Sequence, residues 1–90
     1  MKYHVEFTKT FVKDIKKLDR YTKEMVYSWI KKNLEGIDNP RSFGKGLSGN
    51  LKVKWRYKIG DYRLLCVIEN DKLLILALNI GHRREVYKQK

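Results

Sequence analysis

Residues 51–80 read LKVKWRYKIGDYRLLCVIENDKLLILALNI and carry the clearest structural signal of the chain. Apolar and polar side chains alternate through much of this stretch, which is the period of an extended strand. Turn signals at Gly60-Asp61 and Asn70-Asp71 divide it. The stretch therefore predicts three hairpin-connected strands, near 51–58, 62–69 and 72–80. The last of them is apolar on both faces, so we expect it to lie centrally in the sheet.

The residues before this stretch predict one strand and two helices. Residues 3–8 alternate as a short strand does. Apolar residues at helical spacing then predict two helices, with Thr8 and Asp19 as their N-caps. Glycine and proline chemistry at 36–40 ends the second helix. Residues 41–50 contain three of the six glycines and predict a loop.

Together these elements predict an α+β fold in a single domain over residues 1–90. The order is β-α-α-β-β-β, with a small antiparallel sheet, two helices packed on one face and a short basic C-terminal tail. Ninety residues leave no room for a second core. Cys66 is the only cysteine and is expected to be a buried strand residue, which excludes an internal disulfide and a cysteine-based zinc site. Without an apolar run or a signal peptide, the chain is expected to be cytoplasmic with no membrane partner.

The distribution of charge points to a polyanionic ligand. The formal net charge is +11, of which residues 1–40 contribute +3 (nine basic, six acidic) and residues 41–90 contribute +8 (twelve basic, four acidic). Six Lys or Arg and no acid lie between Arg41 and Gly60. Cations interleaved with aromatic rings suit RNA or DNA.

The strand near 51–58 separates its cations from its aromatic residues. Because successive side chains of a strand point to opposite faces, one face carries a row of four cations and the other packs on the core. Such a row is electrostatically unfavourable unless it is solvated or meets an anion, and of these two readings we favour a phosphate-binding face. The cations are Lys52, Lys54, Arg56 and Lys58, and the core-facing residues are Val53, Trp55 and Tyr57.

Four residues outside this strand are further candidates for chemistry. Arg63 suits a bidentate grip on phosphate, although it could instead pair with a neighbouring acid. His82 follows the last predicted strand and has the side chain best suited to proton transfer near neutrality. Arg83 could add another cation. Tyr87 could stack on a base, orient a phosphate or pin the tail to the sheet.

The residue inventory favours RNA over DNA as a substrate. Acids near the cations are too few to hold a divalent ion, and there is no phosphate loop or zinc ligand set, so no metal and no cofactor are expected. RNA carries its own nucleophile, the 2′-hydroxyl, which needs only a base, cations for the phosphate oxygens and an acid for the leaving 5′-oxygen. A metal-independent endoribonuclease is therefore expected.

At this point the residues match a known family. The chain resembles the RelE/ParE superfamily of bacterial toxins of type II toxin–antitoxin systems, in particular its RelE-like branch. The resemblance covers nearly the whole length, including the predicted order of elements. It is carried by Leu47-Ser48-Gly49 before the basic strand, by Tyr62-Arg63, and by the closing Gly81-His82-Arg83-Arg84-Glu85-Val86-Tyr87.

The resemblance implies a ribosome-dependent mRNA interferase that cuts mRNA in the ribosomal A site and inhibits translation. Its catalytic residues would be Lys54, Arg56, Arg63, Arg83 and Tyr87. Lys52 and Lys54 also fit the Lys-x-Lys pattern of the family, so the base is left open among Lys54, Lys52 and His82. Further RNA contacts are expected from Lys45, Lys52, Lys58, Arg84 and Lys88.

The same resemblance implies partners and an alternative activity. The partners are a RelB-like antitoxin, the ribosome and its A-site mRNA, with no small-molecule cofactor. The alternative is a ParE-like inhibitor of DNA gyrase on the same fold. A non-catalytic RNA-binding protein is a third reading.

Overall fold

The computed structural model of the chain describes residues 1–46 and 54–86. Residues 51–53, the start of the predicted basic strand, lie outside this part. A 3₁₀-helix spans Asn70–Lys72, and the other elements of the described residues are five strands and three α-helices. These are β1 (His4–Phe7), α1 (Lys9–Lys16), α2 (Arg20–Asn33), β2 (Lys45–Gly46), β3 (Lys54–Ile59), β4 (Tyr62–Glu69), β5 (Leu74–His82) and α3 (Arg83–Val86). In this part of the chain no helix is long and apolar enough to cross a bilayer.

The strands form one sheet in the order β1-β5-β4-β3-β2. This confirms the α+β class, the order of the elements and the central place of the last predicted strand. The β3-β4 and β4-β5 pairs are antiparallel, as expected, but β1 runs parallel to β5, so the sheet is mixed. The reason is connectivity. Because β1 is joined to the rest of the sheet through two helices, no hairpin imposes an antiparallel direction.

The core lies between one face of the sheet, here called the inner face, and the first two helices. Phe11 and Ile15 of α1 are buried there, as are Val26 and Ile30 of α2. The sheet contributes alternate residues, such as Tyr57, Leu64, Cys66 and Ile75. Burial of each large apolar side chain contributes about 1.5–3 kcal/mol. Burial also raises the pKa of the Cys66 thiol, which is the buried strand residue that was expected.

A β-bulge in β5 changes which of its residues face the core. Leu65 lies opposite Asn79, but Cys66 lies opposite Ala77, so β5 has one extra residue at this point. Ile75 and Ala77 are buried before the bulge and Ile80 after it. The backbone groups exposed beside the bulge are satisfied from the start of the chain. Thr8 Oγ1 donates to the Leu78 carbonyl at 2.8 Å, and Asp14 Oδ2 accepts from the Ile80 N–H at 3.2 Å.

The caps of the first two helices are as expected in position. Thr8 is the N-cap of α1, and its hydroxyl accepts the Phe11 N–H at 3.0 Å. Asp19 is the N-cap of α2, but its carboxylate accepts the Thr22 hydroxyl instead of a backbone N–H. That hydrogen bond lowers the pKa of Asp19. Both helices therefore begin where the sequence predicts.

Strand β2 lies within residues 41–50, which were predicted to be a loop. It pairs with β3, placing Lys45 opposite Arg56 and Gly46 opposite Trp55. Gly44 has a φ of 85°, and a Cβ there would meet the Arg56 carbonyl oxygen at 2.5 Å. Only glycine lets the backbone approach β3 so closely in this conformation. Gly44 thus allows the short strand β2 to pair with β3.

Glu35 lies beside β1, on the edge that does not pair with β5. Its Oε1 accepts the Val5 N–H at 3.0 Å, and its Oε2 lies 3.0 Å from Nδ1 of His4. The hydrogen bond from the Val5 N–H lowers the pKa of Glu35 below its ordinary value of 4.5, and the hydrogen bond with His4 lowers it further. A carboxyl whose pKa is lower in the folded chain stabilises the fold above its unfolded pKa, and this contribution is lost as the pH falls through the folded pKa.

Glu35→Gln should therefore lower the free energy of unfolding at neutral pH, and the gap from wild type should narrow below about pH 4.5, as the Glu35 carboxylate becomes protonated. Urea denaturation followed by circular dichroism, at a series of pH values from neutral to acid, measures this gap. A gap that stays constant down to the most acidic pH would contradict the assigned role of the carboxylate.

Candidate functional site

The cationic row of β3 lies on the outer face of the sheet, away from the two long helices. Tyr57 and Ile59 of this strand are buried on the inner face, whereas Lys54 and Arg56 are half-buried and Lys58 is exposed. Trp55 is half-buried and packs against the core. The alternation predicted for this strand is confirmed over the residues that the structure describes, and its aromatic rings are structural.

An open cavity of about 370 Å³ lies against this face. Four cationic side chains from three strands line it, together with Gly44: Lys45 of β2, Arg56 and Lys58 of β3, and Arg63 of β4. We call these four residues the cationic pocket. Tertiary structure therefore brings Lys45 and Arg63 to the row on β3.

The register of the sheet sets the cations of this pocket in pairs. Lys45 lies directly opposite Arg56, and Lys58 directly opposite Arg63. Like charges opposite each other in a sheet repel. An arrangement of this kind, open to solvent, suits binding of an anion with more than one charge.

The guanidinium of Arg63 is held in place by the turn between β3 and β4. Its Nη1 donates to the carbonyl oxygens of Gly60 at 2.9 Å and of Tyr62 at 3.0 Å. A planar guanidinium has five N–H donors, so others remain for a ligand. Arg63 is accordingly oriented before any anion arrives.

Two hydrogen bonds from the inner face of β3 fasten the segment that carries Lys45. Trp55 Nε1 donates to the Phe43 carbonyl oxygen at 2.8 Å, and Tyr57 Oη donates to the Pro40 carbonyl oxygen at 2.6 Å. Burial raises the pKa of the Tyr57 phenol, which stays a neutral donor. Sequence reasoning did not assign a role to Gly44 or to these bonds, although the density of glycines in 41–50 was a signal of close packing.

Lys54, Arg83 and Arg84 are not among the residues that line the cationic pocket. Lys54 is two residues from Arg56 on the same face of β3, at the end away from the β3-β4 turn. Arg83 is exposed at the start of α3, and its backbone N–H donates to the Asp61 carbonyl oxygen of that turn at 2.8 Å. The exposed Arg84 follows it. Three of the predicted cations are therefore separate from the four that line the pocket.

His82 lies on the inner face, apart from the cationic pocket. Its ring packs edge-on against Tyr62, with centroids 5.7 Å apart. Both rings line a different cavity, of about 440 Å³, together with Asp14 and Lys17 of the α1 region. His82 is also the last residue of β5, which extends two residues further than predicted. The bulge in β5 accounts for the face that His82 occupies.

Three of the predicted site residues lie outside the described part of the chain. They are Lys52, Tyr87 and Lys88. Their roles stay predictions.

Comparison with known proteins shows which family the sequence matches. A family model for the ParE toxin of type II toxin–antitoxin systems matches residues 5–87. The toxin RelG of Mycobacterium tuberculosis is 29% identical over 89 residues, which is 99% of this chain and 100% of that protein.

Solved structures agree in fold. The toxin–antitoxin complex RelBE2 of M. tuberculosis contains a chain with a TM-score of 0.83 and 29% identity, over 92% of this chain and 100% of that one. A mutant of the E. coli toxin RelE in the free state has a TM-score of 0.74 at 22% identity, over 99% and 94% of the two chains. The archaeal RelE–RelB complex of Pyrococcus horikoshii contains a chain with a TM-score of 0.68 and 24% identity, over 92% of this chain and 97% of that one.

Proposed function

The chain belongs to the ParE toxin family of type II toxin–antitoxin systems. From its RelE-like sequence features and its cationic pocket, we propose that it is a ribosome-dependent mRNA endonuclease. It would cut mRNA in the ribosomal A site and so inhibit translation in the cytoplasm. The observation that carries the proposal is the cationic pocket on the open face of the sheet, where Lys45, Arg56, Lys58 and Arg63 meet.

The reaction would use the 2′-hydroxyl of the RNA as nucleophile. Its oxygen attacks the adjacent phosphorus and gives up its proton to the base, while the bond to the 5′-oxygen breaks and that oxygen takes a proton from solvent water. The products are a cyclic phosphate upstream and a 5′-hydroxyl downstream. Negative charge develops on the phosphate oxygens, where preorganised cations are most effective. Arg56 and Arg63 would bind these oxygens. Arg83 would stabilise charge at the leaving oxygen, and Tyr87 would orient the phosphate or the base.

The geometry favours a lysine over a histidine as the base. Lys54 shares the outer face of β3 with Arg56, whereas His82 lies on the inner face with Tyr62. Lys54 would take the 2′-hydroxyl proton. Lys52 stays open as an alternative.

Two further features of the proposal concern metals and partners. Metal independence stays part of the proposal because the 2′-hydroxyl of RNA can itself serve as the nucleophile. A RelB-like antitoxin is supported by the relatives, several of which were solved as toxin–antitoxin complexes.

A groove beside β1 and α2 offers such an antitoxin an apolar surface. It has a volume of about 340 Å³ and is lined by Val5, Phe7, Tyr27 and Ile30, among others. Phe7 and Tyr27 are each 40% exposed. Apolar side chains of the antitoxin would bury this surface.

A second candidate function is inhibition of DNA gyrase, which the resemblance to ParE toxins suggests. The matching family model favours it, because that model is the one of ParE toxins. This activity predicts DNA damage with intact mRNA, and indifference to changes at Arg83. Mapping of RNA ends and assays of gyrase supercoiling therefore separate the two functions.

Induction of the toxin, with mRNA 5′ ends mapped by sequencing, tests the proposal. Wild type should produce new 5′-hydroxyl ends at codons within translated frames, and Arg83→Ala should lower their yield by about 10²-fold, since a charge at the leaving group is lost. Arg20→Ala, an exposed arginine of α2 paired with Glu24, is the matched control and should cut like wild type. Absence of new ends in wild type, or equal cutting by Arg83→Ala, would count against this assignment.

A further inference from the structure

We propose that His82 is a positioning residue for Arg83, and that it acts only while its imidazole is neutral. In this form the ring holds the start of α3, which carries Arg83, and uptake of a proton by the ring releases it. Cleavage by this toxin therefore weakens as the pH falls. The effect on cleavage rests on the function proposed above, whereas the effect on α3 does not.

The first argument is the hydrogen bond between His82 and the helix that follows it. His82 is the residue before α3, and its Nδ1 accepts the Arg84 backbone N–H at 3.3 Å. The N–H groups in the first turn of a helix have no partner within the helix, and a side chain just before the helix commonly accepts one of them. An imidazole nitrogen can accept only while it carries no proton. The bond to Arg84 therefore requires that Nδ1 of His82 is unprotonated.

The second argument is that the preceding N–H group, that of Arg83, is fixed to the β3-β4 turn. It donates to the Asp61 carbonyl oxygen at 2.8 Å. The carbonyl groups on either side of Asp61 accept from the Arg63 guanidinium, so three consecutive carbonyls hold the side chain of one arginine and the backbone of the other. The bond to His82 fixes the N–H group that follows Arg83. With the N–H groups on both sides of its Cα fixed, the backbone of Arg83 has little freedom, and its side chain starts from a defined direction.

The third argument is that the ring of His82 is itself held in place. It is half-buried and packs edge-on against the ring of Tyr62, with centroids 5.7 Å apart. The two residues lie directly opposite each other on β4 and β5, so the register of the sheet sets this contact. Because the ring is already ordered, its nitrogen accepts the Arg84 N–H with little further loss of side-chain freedom.

The charges around His82 act in the same direction as the loss of this bond. Cations outnumber carboxylates among the ionisable groups that surround it. Protonation of His82 adds a further positive charge there, at the N-terminus of a helix, where positive charge is unfavourable. The lost acceptor and the added charge both loosen the start of α3. The surrounding groups are Asp14 and Lys17 from the α1 region, Tyr62 of β4, Asp61 of the β3-β4 turn, and Arg83 and Arg84 of α3.

Nuclear magnetic resonance of the isotope-labelled full chain tests the effect on α3 directly. The Arg84 amide signal should shift in step with the titration of the His82 imidazole between about pH 8 and about pH 5. Its protection from hydrogen exchange, relative to an unstructured peptide at the same pH, should fall on the acid side. His82→Asn keeps a neutral acceptor before α3 and should show neither change. His82→Phe keeps a ring against Tyr62 without an acceptor, so its Arg84 amide should be unprotected at every pH.

Single-turnover cleavage of ribosome-bound mRNA tests the consequence for the reaction. Each rate is divided by that of His82→Asn at the same pH, which removes the pH dependence that the base and the ribosome impose on all variants. On the alkaline side, wild type should cut within about twofold of His82→Asn, and His82→Phe about tenfold more slowly, because Arg83 is misplaced. On the acid side, wild type should fall to the relative rate of His82→Phe. His4→Asn, a change at the other histidine of the chain, should follow wild type at every pH.

An Arg84 amide that does not respond to the titration of His82 would overturn the proposal. So would a His82→Asn variant that cuts as slowly as His82→Phe, or a wild-type rate that keeps a constant ratio to that of His82→Asn from the alkaline to the acid side. Absence of cleavage by every variant, wild type included, would refute the proposed nuclease function. The Arg84 amide would still show in that case whether His82 holds the start of α3.

Discussion

Arg63→Ala should reduce the rate of mRNA cleavage on ribosomes by about 10²–10³-fold. Arg63 is the arginine of the cationic pocket whose orientation is fixed before binding, through Gly60 and Tyr62. A preorganised cation stabilises developing charge without reorganisation during the reaction. Removing Arg63 should therefore mainly slow the chemical step. Single-turnover cleavage of a defined ribosome-bound mRNA by purified toxin measures this rate.

Two controls separate charge from geometry and from folding. Arg63→Lys keeps the charge but not the planar donor set, so it should recover only part of the rate. Thermal unfolding of both variants reports the loss of the two hydrogen bonds to the turn. If Arg63→Ala folds and cuts within a few-fold of wild type, Arg63 is not a catalytic residue.

Gly44→Ala should lower the free energy of unfolding by about 3 kcal/mol and weaken RNA cleavage at the same time. A Cβ at this position meets the Arg56 carbonyl oxygen at 2.5 Å and Nε1 of Trp55 at 2.6 Å, and the backbone φ of 85° is itself unfavourable for alanine. Strand β2 would have to move away from β3, and Lys45 would move with it. Urea denaturation and the single-turnover assay measure the two effects.

Gly36→Ala is the matched control for this substitution. Gly36 has a similar φ of 80°, but nothing lies within 4 Å of a Cβ added there. Its free energy of unfolding should fall only by the cost of placing alanine in a left-handed backbone conformation, about 1–2 kcal/mol. Its rate of RNA cleavage should be unchanged. Equal losses of stability in the two variants would show that the close approach of β2 to β3 contributes nothing.

Much of the fold could be predicted from local patterns. The two helices, their caps at Thr8 and Asp19, the β3-β4 turn and the alternation along β3 all follow from residues close together in the chain. The cations of β3 therefore had a predictable face. The two-residue strand β2 and the parallel direction of β1 were not predictable, because both depend on pairing between distant segments.

The candidate site shows the same division. Lys54, Arg56 and Arg63 could be proposed from strand periodicity and resemblance, and Lys45 from the run of charge. The placing of Lys45 opposite Arg56, and of Lys58 opposite Arg63, needed the register of β2, β3 and β4.

The sequence by itself determined the order of the elements, the concentration of positive charge after Arg41 and the face of β3 that carries the cations. These depend on composition and on the two-residue period of a strand, which are local properties. Only the tertiary structure decided the face of His82. Simple alternation from the buried Ile75 and Ala77 would have put His82 on the outer face with the cations, and the bulge in β5 reverses this. A bulge arises from how one strand pairs with its neighbours, in this case with Thr8 and Asp14 satisfying its backbone, and no local pattern encodes that.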